Sequence, residues 1–245
     1  MGIEKLTNKE EKQEKIVGMF DDIASTYDLA NRVLSFGIDK RWRKKGCEKA
    51  YEILESTGLT QITDVATGTG DLLVYWKNIA NEKGIKVENF VGIDPSVGML
   101  DVAREKVDFA EFIVGKAQAL PVEDQRTDII SISYGIRNVV DRVEALEEFY
   151  RALKPGGIVV ILEFTKQERN GVFDGIVDFG MKRVLPAIGG LISRNYAAYR
   201  YLPDSIEEFL TTEMLENELK SAGFSMKYTK SFSMGISTLL VAQKI

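Results

Sequence analysis

Five short apolar runs, residues 62–66, 87–93, 111–114, 128–134 and 158–164, alternate with helix-length amphipathic stretches, and this rhythm constrains the fold more than any other feature. Strand, helix and strand in succession build parallel pairs through right-handed crossovers, so a doubly wound α/β sheet is expected. The intervening helices are expected over residues 72–80, 97–107 and 142–153, and Lys154-Pro155-Gly156-Gly157 reads as the turn into the fifth strand. A helix over 211–222, closed by Gly223, then leads to two further strands, 226–231 and 237–242, that fit antiparallel sheet edges. Ahead of the sheet, Phe20, Ile23 and Tyr27 recur at helical spacing up to a break at residues 35–37. A second helix from Asp39 sets Trp42, Gly46, Ala50, Ile53 and Leu54 along one side and stops at Gly58. Residues up to Lys15, crowded with Glu and Lys, read as a solvated charged arm.

The first strand runs into Asp64-Val65-Ala66-Thr67-Gly68-Thr69-Gly70-Asp71, a sharp turn that opens a helix. Gly68 and Gly70 let the backbone bend and approach a ligand, while free amides at the helix start and nearby carboxylates offer directional hydrogen bonds. Dinucleotide-binding chains also use glycine turns, but here Leu73 holds the third glycine position, and Asp64 and Asp71 would repel a pyrophosphate. A cationic cofactor without phosphates fits better. S-adenosyl-L-methionine carries a sulfonium, an amino group and ribose hydroxyls, and the turn resembles the first motif of class I methyltransferases that bind it, with Ala66 where glycine is more usual. Asp94 ends the second strand, which places its carboxylate at the carboxyl edge within reach of both ribose hydroxyls; the alternative is that Asp94-Pro95-Ser96 caps the next helix. After the third strand, Lys116-Ala117-Gln118-Ala119-Leu120-Pro121 falls where that class holds the adenine.

Composition narrows the chemistry. A net charge of −5 and a pI near 5.1 give no basic field for nucleic acid. Cys47 is the only cysteine and there is no histidine, which excludes an internal disulfide, His-based triads and ordinary zinc sites. The N-terminal residues lack an apolar signal core and no apolar run approaches the span of a bilayer, so a cytoplasmic protein is expected.

Two segments are more specific. Tyr27-Asp28-Leu29-Ala30-Asn31 with Ser35-Phe36-Gly37 and Trp42, and Ser133-Tyr134-Gly135-Ile136-Arg137-Asn138 after the fourth strand, closely resemble the ubiquinone/menaquinone biosynthesis C-methyltransferases. Arg151-Ala152-Leu153-Lys154-Pro155-Gly156-Gly157, Glu163-Phe164-Thr165 and Tyr199-Arg200-Tyr201-Leu202-Pro203-Asp204-Ser205-Ile206 extend the resemblance over almost the whole chain beyond Ile16. Departures from the usual residues are Ala30 for Met, Asp39 for His, Ala152 for Val, Thr165 for Ser, and Lys116 for Asn or Asp.

The resemblance implies a class I fold with a seven-stranded, mostly parallel sheet, N-terminal helices and a helical insertion after the fifth strand. The chain is expected to form one domain: arm and cover over 1–58, cofactor core over 59–164, insertion or lid over 165–205, and the final helix and strands over 206–245. Within the insertion, Phe173, Ile176, Val177, Gly180, Met181 and Val184 repeat at helical spacing before Pro186, beside Lys182 and Arg183. By resemblance Asp64, Thr69, Asp94, Lys116, Ala117 and Ser133 bind the cofactor, with Gly68 and Gly70 shaping the turn. An ammonium gives adenine no acceptor, so Lys116 is a poor side-chain contact. The expected reaction is methyl transfer to a ring carbon of a prenylated quinol, demethylmenaquinol ahead of the benzoquinol precursor of ubiquinone. Arg137 would stabilise a phenolate, Asn138 would align its loop, and Tyr27 or Asp28 would assist proton removal. The alternatives make Tyr27 a core residue, Arg137 a partner of Asp141, and Cys47 an inert helix residue. A polyprenyl substrate implies transient contact with the inner face of the membrane; self-association is left open. The rival readings are a non-catalytic lipid- or cofactor-binding protein and a nicotinamide-dependent oxidoreductase, the latter disfavoured by Leu73.

Overall fold

In the computed structural model, which describes residues 8–167, 183, 185–193, 195–233 and 235–245, the alternating runs close into one seven-stranded sheet of order β3-β2-β1-β4-β5-β7-β6. Its strands are β1 (Gly58–Val65), β2 (Lys86–Asp94), β3 (Glu111–Val114), β4 (Thr127–Ser133), β5 (Leu153–Glu163), β6 (Phe224–Phe232) and β7 (Ser237–Lys244). Strands β1 to β5 are parallel, and β7 lies antiparallel between β5 and β6. The order reverses at β1, which pairs with both β2 and β4. At such a switch point the crossovers leave on opposite faces, so the carboxyl ends of the strands open a crevice.

Burial on both faces of the central strands explains their continuous apolar runs. Along β5, Val159 and Ile161 enter one core while Ile158, Val160 and Leu162 enter the other. The first core is completed by α5 (Arg142–Ala152) and α8 (Thr212–Ser221), through Leu146, Phe149, Leu215 and Leu219. The second is completed by α2 (Ile38–Leu54) and α3 (Asp71–Lys83), through Cys47, Tyr51, Leu73 and Trp76. Trp76 is fully buried, and its ring nitrogen donates to Ser131 Oγ at 3.0 Å while Tyr51 donates its hydroxyl to the Trp76 carbonyl at 2.9 Å. Those bonds satisfy the polar ends of two large rings that meet edge to face. Burial pushes the Cys47 thiol up, so the thiol stays protonated and inert.

A third apolar cluster lies over the carboxyl edge. It joins α1 (Lys9–Leu34) to α4 (Val97–Lys106), α6 (Leu185–Ser193) and α7 (Tyr196–Glu208) through Ile23, Ala24, Ala30, Met99, Ala198 and Tyr199. This is the cover under which the site is built.

Four expectations change. The charged stretch up to Lys15 is a free arm only in composition, because α1 begins at Lys9, with the Asn8 side chain accepting from the amides of Glu10 and Glu11. That cap and an acidic first turn stabilise a helix start, and Ile16 buries its inner face. The second helix ends at Leu54, where Glu55 turns the chain left-handed at φ +49°, and Gly58 already belongs to β1. Lys154-Pro155-Gly156-Gly157 lies inside β5 as a bulge: the step from Thr127 to Ile129 on β4 is matched by Leu153 to Ile158 on β5. Gly156 takes the positive φ of +78° that this excursion requires. The expected insertion boundary at 205 falls within α7, and the helix expected over residues 173–184 lies outside the described residues apart from Arg183.

Candidate active site

The glycine turn folds as its composition demands. Ala66, Gly68 and Gly70 have φ of +50°, +56° and +77°, so the position where glycine is more usual is left-handed and its alanine carries backbone strain of roughly 1–2 kcal/mol. Gly70 also lets α4 approach, since a Cβ there would stand 3.2 Å from Val107 and 3.4 Å from Ala103. Leu73 is fully buried in the core below the turn, which leaves no glycine contact for a pyrophosphate.

Asp94 accepts from the Gly68 amide at 2.8 Å and the Ser96 amide at 2.9 Å. The cap of α4 is the Ser96 hydroxyl, which accepts from Met99 N, so Asp94 is tied to the glycine turn and keeps spare lone pairs for a ligand. Burial pushes its carboxyl up to about 6. Asp64 accepts from Ser131 Oγ at 2.6 Å and Thr67 Oγ1 at 2.7 Å, and burial pushes it to about 7. Neither carboxylate has an ion-pair partner among the described residues.

Three cavities meet at this edge. The first, of about 80 Å³, is lined by Gly68, Asp94, Lys116, Ala117, Ser133 and Asn138, and is roofed from α1 by Gln13, Ile16, Val17 and Phe20. Lys116 is an exposed residue and Ala117 is buried. Ser133 Oγ is buried with no hydrogen-bond partner, a polar atom that a ligand would satisfy. The second, of about 290 Å³, is mainly apolar, with Phe20, Ile23, Leu34, Trp42, Phe164 and Tyr199 in its wall together with Arg43 and Arg137. The third, of about 30 Å³, is polar and lies beside Asp28, Asp64, Thr69 and Asp71. Tyr27 is the one residue lining all three.

Arg137, in the 3₁₀ turn Ile136–Asn138, points into the apolar cavity under tight control. Its guanidinium donates to Glu163 Oε1 at 2.6 Å, to the Tyr134 carbonyl at 2.9 Å and to Ser205 Oγ at 3.3 Å. Asp141, its alternative partner, instead pairs with Lys9. Glu163 is fully buried; burial pushes its carboxyl up, while Arg137 and the amides of Phe164 and Arg137 act against that. Asn138 accepts from the Tyr201 hydroxyl at 3.1 Å and lines the first cavity, so it braces the loop against α7. Close packing fixes the loop from below too: a Cβ on Gly135 would stand 2.6 Å from Ala66. Tyr134 follows β4 with φ +58° and stacks on Phe164 at 4.5 Å.

The structure separates Tyr27 from Asp28. Tyr27 packs edge-on against Phe20, yet it also faces the cavities; burial pushes its phenol up while Arg43 and Arg137 pull it down. Asp28 accepts from Thr69 Oγ1 at 2.6 Å and from Lys106 at 2.7 Å, away from the apolar cavity. It belongs to a chain of charges: Lys106 also reaches Asp71 at 2.8 Å, Arg32 bridges Asp71 and Asp39, and Arg43 joins Asp39. Higher on α1, Asp21 accepts from Ser96 Oγ at 2.6 Å and from the Gly98 amide at 2.9 Å. Asp21 and Arg43 fall in none of the motifs read from the sequence, while Asp39 enters there only as a helix start and a departure from the usual His, and Glu163 only within Glu163-Phe164-Thr165, neither with a role.

A sheet of this order, with an acidic glycine turn and a strand-end carboxylate at its switch point, defines the class I methyltransferase fold. A SAM-dependent methyltransferase from Thermotoga maritima has it at a TM-score of 0.61 and 20% identity, covering 94% of this chain and 100% of that one. A SAM dependent methyltransferase from Aquifex aeolicus has it at 0.57 and 19%, over 81% of this chain and 89% of that one. The chain belongs to the ubiE/COQ5 methyltransferase family, whose model matches residues 7–244. It is 53% identical to the ubiquinone/menaquinone biosynthesis C-methyltransferase UbiE of Campylobacter jejuni over 96% of this chain and 100% of that protein. The demethylmenaquinone methyltransferase of Thermus thermophilus is 41% identical over 92% of this chain and 100% of that protein.

Membership implies S-adenosylmethionine as methyl donor, and the residues fit it: Asp94 has lone pairs for hydroxyls, Ser133 an unpaired hydroxyl, and Asp64 a carboxylate without a cation. A cationic ligand favours the ionised carboxylates, whose values without it are about 6 for Asp94 and about 7 for Asp64. Cofactor affinity is therefore expected to rise with pH, by about tenfold between pH 5 and 7 for Asp94 alone. Calorimetric titrations across that range check this, and a flat profile would contradict it.

Proposed function

We propose that this chain transfers the methyl group of S-adenosylmethionine to a ring carbon of a prenylated quinol, with demethylmenaquinol as substrate ahead of the benzoquinol precursor of ubiquinone. The observation that carries this is an apolar cavity of about 290 Å³ that has Arg137 in its wall and shares Phe20, Tyr27 and Tyr134 with the cavity of Asp94 and Ser133. Relatives named as demethylmenaquinone methyltransferases support the naphthoquinol ring. Residues 1–245 act as one catalytic domain, with the N-terminal helices and the segment 165–205 as covers.

When bound, the cofactor supplies an electrophilic methyl group on a sulfonium. The chain's task is to raise electron density at a ring carbon, which follows when a neighbouring phenol loses its proton. A free phenol has a pKa of about 10, so the site must favour the phenolate. Arg137 does this as a permanent cation, and Glu163 holds its fork in place so that little reorganisation is needed as charge develops. Arginine is a poor base, so the proton leaves through Tyr27 or a water that Arg137 orients. Burial raises the Tyr27 phenol above its ordinary value and Arg43 and Arg137 only offset part of that, so Tyr27 passes the proton on as a neutral hydroxyl. Asp28 holds Thr69 and Lys106 in place and takes no part in the proton transfer. Asp64, Gly68, Thr69, Gly70, Asp94, Ala117 and Ser133 form the cofactor site; Lys116 contributes its backbone.

The substrate's tail brings the enzyme to a membrane surface. Phe36, 90% exposed at the mouth of the apolar cavity, and Leu29, 60% exposed, support transient contact by a cytoplasmic protein. Among the described residues no helix is long and apolar enough to cross a bilayer.

The deciding experiment offers labelled cofactor with a naphthoquinol and a benzoquinol acceptor and determines product mass and ring position. Methylation of the naphthoquinol is expected; no transfer to either acceptor would end the proposal. Arg137→Lys is expected to bind cofactor normally but lose well over about tenfold in turnover, or 1.4 kcal/mol, because an ammonium cannot reproduce the fork. Unchanged turnover would remove Arg137 from the mechanism. Flotation should bring wild-type protein up with quinol-loaded vesicles, and no association would exclude the surface contact.

A further inference from the structure

In that scheme Arg43 acts only through its charge on Tyr27, yet among the described residues it is the one cation in the lining of the third cavity. It is 7% exposed, and a guanidinium withdrawn this far from water is costly unless its charge and donors are used. Its charge is partly met: Nη1 donates to Asp39, a carboxylate that Arg32 shares. Its Nε and Nη2 make no hydrogen bond among the described residues, and its fork lies 5.3 Å from the centre of the Tyr134 ring. The side chain lines both the apolar second cavity and the polar third one.

The other charged groups lining that cavity divide into two kinds. Asp28 is neutralised by Lys106, and Asp71 by Lys106 and Arg32. Asp64 is held only by the hydroxyls of Thr67 and Ser131. A small polar space thus offers one guanidinium with free donors and one carboxylate without a cation, the complement of an α-amino acid zwitterion. It adjoins the first cavity at Tyr27, Ala66, Gly68 and Ser133, so a ligand anchored at Asp94 by its ribose would enter it with its amino acid end.

We propose that Arg43 binds the α-carboxylate of the cofactor's methionine moiety, with Asp64 receiving the ammonium. This assignment rests on the S-adenosylmethionine reading above. It also places the sulfonium between the two ends, beside Tyr27, where the apolar cavity begins.

The test compares binding of S-adenosylmethionine with its decarboxylated analogue, which keeps the sulfonium and adenosine, by calorimetry. Wild-type protein is expected to prefer the intact cofactor by about tenfold to a hundredfold, the range for hydrogen bonds to charged groups. In Arg43→Met that ratio should fall to near unity through weaker binding of the intact cofactor alone, and Arg43→Lys should retain part of it. Asp94→Asn, at the other end of the ligand, should weaken both and leave the ratio intact. Equal wild-type affinities would overturn the proposal, and so would an undiminished ratio in either folded Arg43 variant. Failure of wild-type protein to bind either compound would instead sink the cofactor reading.

Discussion

Six charged side chains in series, Asp28, Lys106, Asp71, Arg32, Asp39 and Arg43, tie α1 and α2 to the glycine turn and α4. The ligand cavities depend on this series, because α1 supplies a wall to each of them. Exposed pairs contribute little, but these groups are partly or wholly buried, so deleting one leaves a neighbour with desolvated and uncompensated charge. The links therefore act together. Hydrogen bonds that Asp21 accepts from Ser96 and Gly98 at the start of α4, and that Gln13 accepts from the Val140 amide, secure the same helix further along.

Much of the fold was legible because it follows from local rules. A period of two on β5, apolar on both faces, can be satisfied only inside a covered sheet, and a carboxylate at the end of β2 can point only to the carboxyl edge. The residues proposed to hold the cofactor are strand ends and the turns that follow them, so their place at the carboxyl edge was legible for the same reason. What remained hidden depends on partners far away in the chain. Glu163 meets Arg137 across two strand ends, and Asp21 meets Ser96 from another helix. Charge density at the N-terminus suggested solvation, but one polar cap and one buried isoleucine decide for helix. Asp28 and Tyr27 are adjacent in sequence and share the polar cavity, but only Tyr27 also reaches the other two, a difference set by how α1 is docked.

The two turns that bound the reaction space both carry left-handed residues other than glycine, Ala66 after β1 and Tyr134 after β4. Such backbone is costly and persists only where its surroundings overdetermine it. Here the Gly135 backbone packs against Ala66, while the Tyr134 hydroxyl shares a hydrogen bond with Ser237 Oγ at 3.2 Å and its ring stacks on Phe164. Each turn thus braces the other, and Ser133 and Arg137 flank the strained Tyr134 in one of them.

That Tyr27 lines all three cavities has a kinetic consequence. A helix that roofs the cofactor and also walls the acceptor cannot lift for one without loosening its grip on the other. On the proposed placement of donor and acceptor, departure of the spent donor and discharge of the methylated ring share one gate, and the salt links that hold α1 resist its opening.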